Sequence, residues 1–169
     1  AFRRSVERTL LAMPVTQPSP ASPAHYAGGE FRQDEPLEQV QLAIGFPGVA
    51  ARHVDRVALG LYGAILGGGM SSRLFQEIRE DLGLVYAISS HHAAYSDCGM
   101  LSIHVGTDAA DLARLAPALA DCVRRSLDDL SDREISRARV QARAGLLMSL
   151  EGPGGRVDRL AGQLMAFNR

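Results

Sequence analysis

The sequence contains no lysine and no tryptophan, and only 5% of its residues are aromatic. Its 18 basic residues are all arginines, nearly balanced by 19 aspartates and glutamates, so the net charge is −1. Such a balance offers no basic surface for nucleic acid or for an anionic membrane. Long hydrophobic runs are missing too, because no apolar stretch approaches the roughly 20 residues that a membrane-spanning helix requires. Nucleic-acid and membrane partners are therefore not expected.

Cysteine is scarce, and the two cysteines are Cys98 and Cys122. This spacing matches neither a disulfide framework nor a pattern of metal ligands. We expect both side chains to be free, partly buried thiols. The sequence leaves a single disulfide between them open.

Histidine pairs with metal-binding spacing are also missing. A helical zinc site of the H-E-x-x-H or H-x-x-E-H type needs two histidines four residues apart on one helix face. No two of the five histidines have that spacing, and the adjacent pair in the middle of the chain would point to opposite faces of a strand. We therefore predict no metal site in this chain and expect surface or packing roles for all five. They are His25, His53, His91, His92 and His104.

The composition is that of a folded protein: 169 residues, 46% of them hydrophobic, are enough for one domain with its own core. Four of the eight prolines fall in residues 13–24, which predicts an extended linker. We expect residues 1–24 to be the tail of a preceding domain, with a short amphipathic helix over 1–12, followed by this linker. Residues 25–169 would then form the domain proper. The first and last residues carry no start or stop signal, so we expect an excised fragment.

Apolar residues alternate most clearly in residues 39–46, where Val40, Leu42, Ile44 and Phe46 share one face of a predicted strand. Other strands are predicted at residues 29–33, 84–94 and 100–106, the last two joined by a hairpin loop. Helical spacing predicts helices at residues 52–66, 72–81, 108–130, 131–150 and 156–167. Because the strands come in hairpin-like pairs, the fold class is α+β, a largely antiparallel sheet with helices packed on one face.

Glycine, serine and proline mark the ends of several helices. The run at residues 67–69 ends one helix, Ser71 or Ser72 would cap the next, and Gly83 sits at a left-handed stop position. Pro117 is expected to kink or restart the helix that contains it. Residues 131–134, reading SDRE, predict a capping box at the start of another helix.

Arg79 and Tyr86 are the candidate functional residues. One lies in the last turn of a predicted helix and the other at the start of the next strand, so the Gly83 turn can bring both side chains to one cleft. A guanidinium and a phenol could together hold peptide carbonyls or stabilise an oxyanion beside a metal from another domain. Spacing alone also fits, and rather favours, an exposed Arg79 paired with Glu80 or Asp81 and a Tyr86 packed at a sheet edge.

Residues 67–86, reading GGGMSSRLFQEIREDLGLVY, resemble the second-domain signature of the insulinase/pitrilysin family of zinc proteases, close to its bacterial members similar to mitochondrial processing peptidase. The resemblance extends to residues 26–30 (YAGGE), 39–48 (QVQLAIGFPG), 131–138 and 146–151 (LLMSLE), in the family's order. It covers about residues 25–168. It implies half of a clam-shell metallopeptidase, in which the zinc motif belongs to the N-terminal half and this chain is the C-terminal half without zinc.

The resemblance also implies roles for the two candidate residues. Tyr86 is expected to hydrogen-bond the scissile carbonyl or its oxyanion, and Arg79 to contact the backbone of the substrate. The function implied is substrate binding in a zinc-dependent metalloendopeptidase that cleaves peptides or presequences. The fragment alone would be inactive and would hold no cofactor, with zinc in the missing N-terminal half.

The resemblance leaves a second function open, in which the chain belongs to a non-catalytic partner or a scaffold subunit of the same family. The partners implied are an N-terminal zinc-bearing domain, of the same chain or of another subunit, and an extended peptide; a homodimer is left open. Arginine without lysine and abundant alanine indicate GC-rich codon usage, which favours a bacterial source. A cytoplasmic location is favoured on that basis.

Overall fold

The computed structural model of the chain describes residues 2–14 and 22–167. These residues form five α-helices, three β-strands and two short helical segments of other types. The helices are α1 (Phe2–Leu11), α2 (Arg56–Gly67), α3 (Leu112–Asp128), α4 (Asp132–Ser149) and α5 (Pro153–Phe167). The strands are β1 (Val40–Gly48), β2 (Ala87–Ala94) and β3 (Gly99–Thr107). A π-helix spans Phe75–Asp81, and a 3-10 turn at Ala109–Asp111 leads into α3.

The three strands form one antiparallel sheet in the order β1-β3-β2. β2 and β3 are a hairpin, closed by a hydrogen bond from the Tyr95 amide to the Cys98 carbonyl. β3 lies in the middle and pairs with both neighbours, so that Ser102 lies beside Gly45 on one side and beside His91 on the other. This arrangement leaves β1 and β2 as the edge strands.

One face of the sheet carries the core. Leu101, Ile103 and Val105 of β3 are buried together with Ile88 of β2, as strand alternation requires. Against them pack residues from α2, the π-helix and α3, since α2 lies on β2, α3 on the π-helix and α4 on α2. The helical part of the core consists of Leu66, Leu74, Ile78, Leu115, Leu119 and Cys122. The predicted α+β fold, with helices on one face of an antiparallel sheet, is confirmed.

The strand predicted at residues 29–33 is wrong, because residues 22–37 have no regular secondary structure. Two consecutive glycines, Gly28 and Gly29, weaken strand formation there. The segment meets the sheet through a side chain instead, as the Tyr26 hydroxyl donates to the carbonyl of Gly45 over 2.8 Å.

Four other expectations need correction. The predicted helix at residues 52–66 begins only at Arg56, and the predicted strand at 84–94 begins only at Ala87. Ser72 does not cap the helix that follows it, because its hydroxyl donates backwards to the Gly69 carbonyl. Pro117 does not restart its helix, since α3 runs through it, although the proline lacks the amide that would donate to the Ala113 carbonyl.

The capping box is present as predicted: Ser131 accepts from the Glu134 amide, and the Glu134 carboxylate accepts from the Ser131 amide. Both cysteines are free thiols, Cys122 buried and Cys98 partly exposed. At the N-terminus, α1 corresponds to the predicted helix and all its residues are exposed. Of the proline-rich stretch, residues 15–21 lie outside the described residues. No helix in the described part of the chain is both long and apolar enough to cross a membrane.

Candidate functional site

The segment that carries Arg79 and Tyr86 starts at the end of α2, where the helix lies directly on β2. Gly67 is the last residue of α2, and a Cβ added there would come within 2.5 Å of the Ser90 amide nitrogen. The chain then turns through Gly69, whose φ of 151° is rarely adopted by other residues. Glycine is therefore required at both points, once for close packing and once for backbone conformation.

The helix predicted after this turn is a π-helix rather than an α-helix. Its wider hydrogen-bonding pattern ends with the Leu82 amide bonded to the carbonyl of Glu77, five residues earlier. Gly83 then adopts the left-handed conformation at φ 63°, as the sequence predicts, and the Leu84 amide returns to the Ile78 carbonyl. The chain leaves the helix in a defined direction and enters β2.

Arg79 lies in the last turn of this helix with its side chain exposed to solvent. The carbon at the centre of its guanidinium group lies 4.6 Å from the centroid of the Phe75 ring. Arg79 forms no ion pair with Glu80 or Asp81, the pairing that its spacing alone favours. The guanidinium is therefore held by an aromatic face, and its N–H groups point to no carboxylate in the described part of the chain.

Tyr86 immediately precedes β2 and is 58% exposed. Its backbone amide donates to the Gly106 carbonyl over 2.9 Å, which fixes the residue at the start of the strand ladder. Within the described residues, the phenol hydroxyl has no hydrogen-bond partner and is free to donate. No hydrogen bond joins Tyr86 to Arg79, so the structure presents two separate exposed donors on either side of the Gly83 turn.

Arg73, which sequence reasoning missed, anchors the start of the same helix. Its guanidinium donates to both carboxylate oxygens of Glu134 over 2.6 and 2.8 Å, and it is also paired with the carboxylate and the carbonyl of Asp129. The hydrogen bond from Arg73, followed by those from Ser131, lowers the pKa of Glu134 to about 2. A second arginine, Arg125 of α3, pairs with Glu77. Both carboxylates thus tie the π-helix to the neighbouring helices.

The histidines give no metal centre. His91 and His104 stack on the sheet face opposite the helices, with ring centroids 5.4 Å apart and planes 13° from parallel. Lone pairs of nearly parallel rings do not converge on one ion. His92 points to the other side, as predicted, and its Nε2 lies 3.1 Å from the Val49 carbonyl. Among residues 2–14 and 22–167, no three histidine, cysteine or acidic side chains come together as metal ligands.

Comparison with known protein families identifies the family of this chain. The family model described as the peptidase M16 inactive domain matches residues 6–142. The chain belongs to this family. The resemblance to a zinc protease family drawn from residues 67–86 is thereby confirmed, and the family description makes the chain an inactive domain of that family.

Bacterial relatives support the same assignment. The chain is 35% identical to an uncharacterized zinc protease of Rickettsia bellii, over 98% of the chain and 40% of that protein. It is 37% identical to the uncharacterized zinc protease YmxG of Bacillus subtilis, over 72% of the chain and 30% of that protein. The chain thus spans about 40% or less of the length of these relatives.

Solved structures agree on the fold. The structure of an M16 inactive domain from Pseudomonas fluorescens superimposes on 76% of this chain with a TM-score of 0.69 and 25% sequence identity. The matched region is 31% of the Pseudomonas chain. The structure of a protein described as a putative zinc protease, from Bordetella pertussis, superimposes on 79% of this chain with a TM-score of 0.66 and 20% sequence identity. The matched region is 74% of the Bordetella chain. At that lower identity the likeness establishes the fold alone.

Proposed function

We propose that this chain is the substrate-binding C-terminal domain of a zinc-dependent metalloendopeptidase, and that residues 25–169 are the domain proper. The observation that carries the proposal is the pair of exposed donors, Arg79 and Tyr86, held on either side of the Gly83 turn in an M16 inactive domain. Neither side chain is used by the fold's own hydrogen bonds in the described part of the chain.

The two donors suit different parts of a peptide. The Tyr86 hydroxyl can donate one hydrogen bond to the oxygen of the scissile carbonyl, where negative charge develops during hydrolysis. The Arg79 guanidinium presents several N–H groups in one plane, which suits backbone carbonyl oxygens away from the reacting atom. One group would then act on the reacting bond and the other on the placement of the peptide.

The sheet offers a place for an extended peptide. β2 begins one residue after Tyr86, and its outer edge has no partner strand among the described residues. Backbone groups at such an edge can pair with an added strand. We propose that the substrate pairs there, which would place its carbonyls within reach of the tyrosine.

The residues that the structure describes do not fit a zinc ion, because no three of their histidine, cysteine and acidic side chains come together. The proposal therefore needs a zinc-bearing domain elsewhere, in the same chain or in a partner subunit. The purified chain should contain no stoichiometric zinc and should cleave no peptide until that domain is added. If the rest of the protein contains no H-x-x-E-H sequence, this domain would instead belong to a non-catalytic subunit.

The Tyr86→Phe substitution in the full-length protein tests the proposed site most directly. Loss of one oxyanion donor should lower kcat by roughly 10²–10³-fold. Arg79→Ala should mainly raise KM, because its contacts are the same in the ground state and in the transition state. The control is Tyr95→Phe, which changes an equally exposed tyrosine in the hairpin loop. If Tyr86→Phe leaves kcat at the level of Tyr95→Phe, Tyr86 has no part in the reaction.

A further inference from the structure

Phe75 and Arg79 form a cation–π pair on the π-helix. They lie four residues apart, a spacing that places side chains on one face of a helix. The guanidinium of Arg79 lies over the Phe75 ring at 4.6 Å. The ring itself is half-buried and packs against the core cluster, so it is a fixed platform for a side chain that is otherwise exposed.

The contrast with Arg73 on the same segment shows what this platform achieves. Carboxylates from Glu134 and Asp129 occupy the N–H groups of Arg73, which leaves that guanidinium few donors for a ligand. An aromatic ring instead contacts the face of a guanidinium and leaves the N–H groups in its plane free. Arg79 is therefore both oriented and available.

The backbone around the pair is equally constrained. Leu74 and Ile78, on either side of Phe75 along the helix, are fully buried. Glu77 holds the middle of the segment, because its carbonyl accepts the π-helical hydrogen bond from the Leu82 amide and its carboxylate forms an ion pair with Arg125. π-Helical turns of this kind recur at functional sites. The position of the Phe75 ring is thus set by the core, and the ring in turn limits the positions open to Arg79.

We propose that Phe75 is a positioning residue, which holds the guanidinium of Arg79 over its ring so that the N–H groups face peptide carbonyls. This inference rests on the proposed function, because it requires that Arg79 contacts the substrate. A side chain that is already oriented loses less conformational freedom when the peptide binds. Phe75 accordingly acts on substrate binding and not on the chemical step.

The full-length protease with Phe75→Leu or Phe75→Tyr provides the test. Leucine removes the ring and should raise KM for a peptide by roughly 2- to 5-fold, the effect of one exposed cation–π contact. The value of kcat should not change, and tyrosine should retain the original KM. In the Arg79→Ala background, Phe75→Leu should raise KM no further. The control is Phe46→Leu, since Phe46 is also half-buried against the core cluster; it should lower stability and leave KM unchanged.

Two results would overturn the proposal while leaving the proposed function intact. One is an unchanged KM in Phe75→Leu although Arg79→Ala raises it. The other is an equal effect of Phe75→Leu with and without Arg79, which would mean that the ring acts through packing. An unchanged KM in Arg79→Ala would instead remove Arg79 from the substrate site. If Phe75→Leu does not fold, phenylalanine analogues that carry an increasing number of fluorine atoms can replace Phe75, because they keep its shape and weaken the cation–π contact. The KM should then rise with each added fluorine. A constant KM would reject the proposal.

Discussion

Arg73 and Glu134 form the most enclosed ion pair among the described residues, with side chains 12% and 15% exposed. The Glu134 carboxylate binds Arg73 and also completes the capping box of α4 by accepting a hydrogen bond from the Ser131 amide. Hydrogen bonds from the arginine and the serine favour the charged form of Glu134, which is why its pKa falls to about 2. One carboxylate therefore starts a helix and anchors the candidate site.

The lowered pKa predicts a dependence of stability on pH. The folded-state pKa of Glu134 lies at about 2, below its ordinary value of 4.5. Its contribution to the free energy of unfolding should be fully present above that ordinary value and should be lost as the pH falls towards the folded-state pKa. Glu134→Gln should lower the free energy of unfolding by about 1–2 kcal/mol at neutral pH, and by much less at pH values near the folded-state pKa.

Urea denaturation across this pH range measures the effect of Glu134→Gln. The matched control is Asp121→Asn, because Asp121 pairs with Arg124 on the exposed surface of α3. Such pairs contribute little, so the control should follow the original protein. A constant difference between Glu134→Gln and the original protein at all pH values would contradict the prediction.

At the scale of elements, the contact between α2 and β2 depends on two glycines one helical turn apart. Gly63 and Gly67 present no side chains to the strand, and the Ser90 hydroxyl donates to the Gly63 carbonyl over 2.8 Å. A Cβ at Gly67 would meet both the amide nitrogen and the hydroxyl of Ser90. The glycines let the helix lie against the strand backbone, and thereby fix where residues 68–86 begin.

Gly67→Ala should lower the free energy of unfolding by roughly 1–3 kcal/mol, the usual effect of overpacking. Gly60→Ala is the control, because Gly60 lies in the same helix and has nothing within 4 Å of its added Cβ. Alanine there should leave stability unchanged or raise it by up to about 1 kcal/mol. Equal free energies for the two variants in urea denaturation would mean that the helix does not approach the strand this closely.

The π-helix shows where prediction at the element scale stops. Apolar spacing in residues 72–81 predicts a helix, and Leu74 and Ile78 are buried as that spacing requires. The amino-acid sequence of this segment does not predict a π-helical turn, because none of its residues has a special propensity for that conformation. Tertiary contacts to Arg73 and Glu77 hold this segment at its start and in its middle. The placement of Phe75 under Arg79 could therefore not be read from the sequence.

At the scale of the whole molecule, the division into a linker and a domain remains a prediction. All residues of α1 are exposed, and the linker meets the domain through a hydrogen bond from the Ala24 amide to Asp97. The next contact along the chain is the one from Tyr26 to Gly45. Among the described residues, Tyr26 is thus the first along the chain whose side chain hydrogen-bonds to the sheet, and the boundary near residue 25 remains a prediction.

Deleting residues 1–24 should change the free energy of unfolding by less than about 0.5 kcal/mol, since surface changes of this kind are usually small. Deleting residues 1–38 also removes the Tyr26 hydrogen bond and should lower it by about 1 kcal/mol. Chemical denaturation of both truncated chains measures the difference. A large loss of stability on deleting residues 1–24 alone would move the domain boundary towards the N-terminus.

The sequence by itself determined the features that depend on neighbouring residues. Alternation predicted β1 and β3, residues 131–134 predicted a capping box, and Gly83 predicted a left-handed turn, because each pattern is local. Only the tertiary structure decided that β1 pairs with β3, that residues 29–33 stay outside the sheet, and that Glu134 meets Arg73, 61 residues away. Those outcomes depend on which remote surfaces pack together, and the spacing of residues along a chain does not encode that.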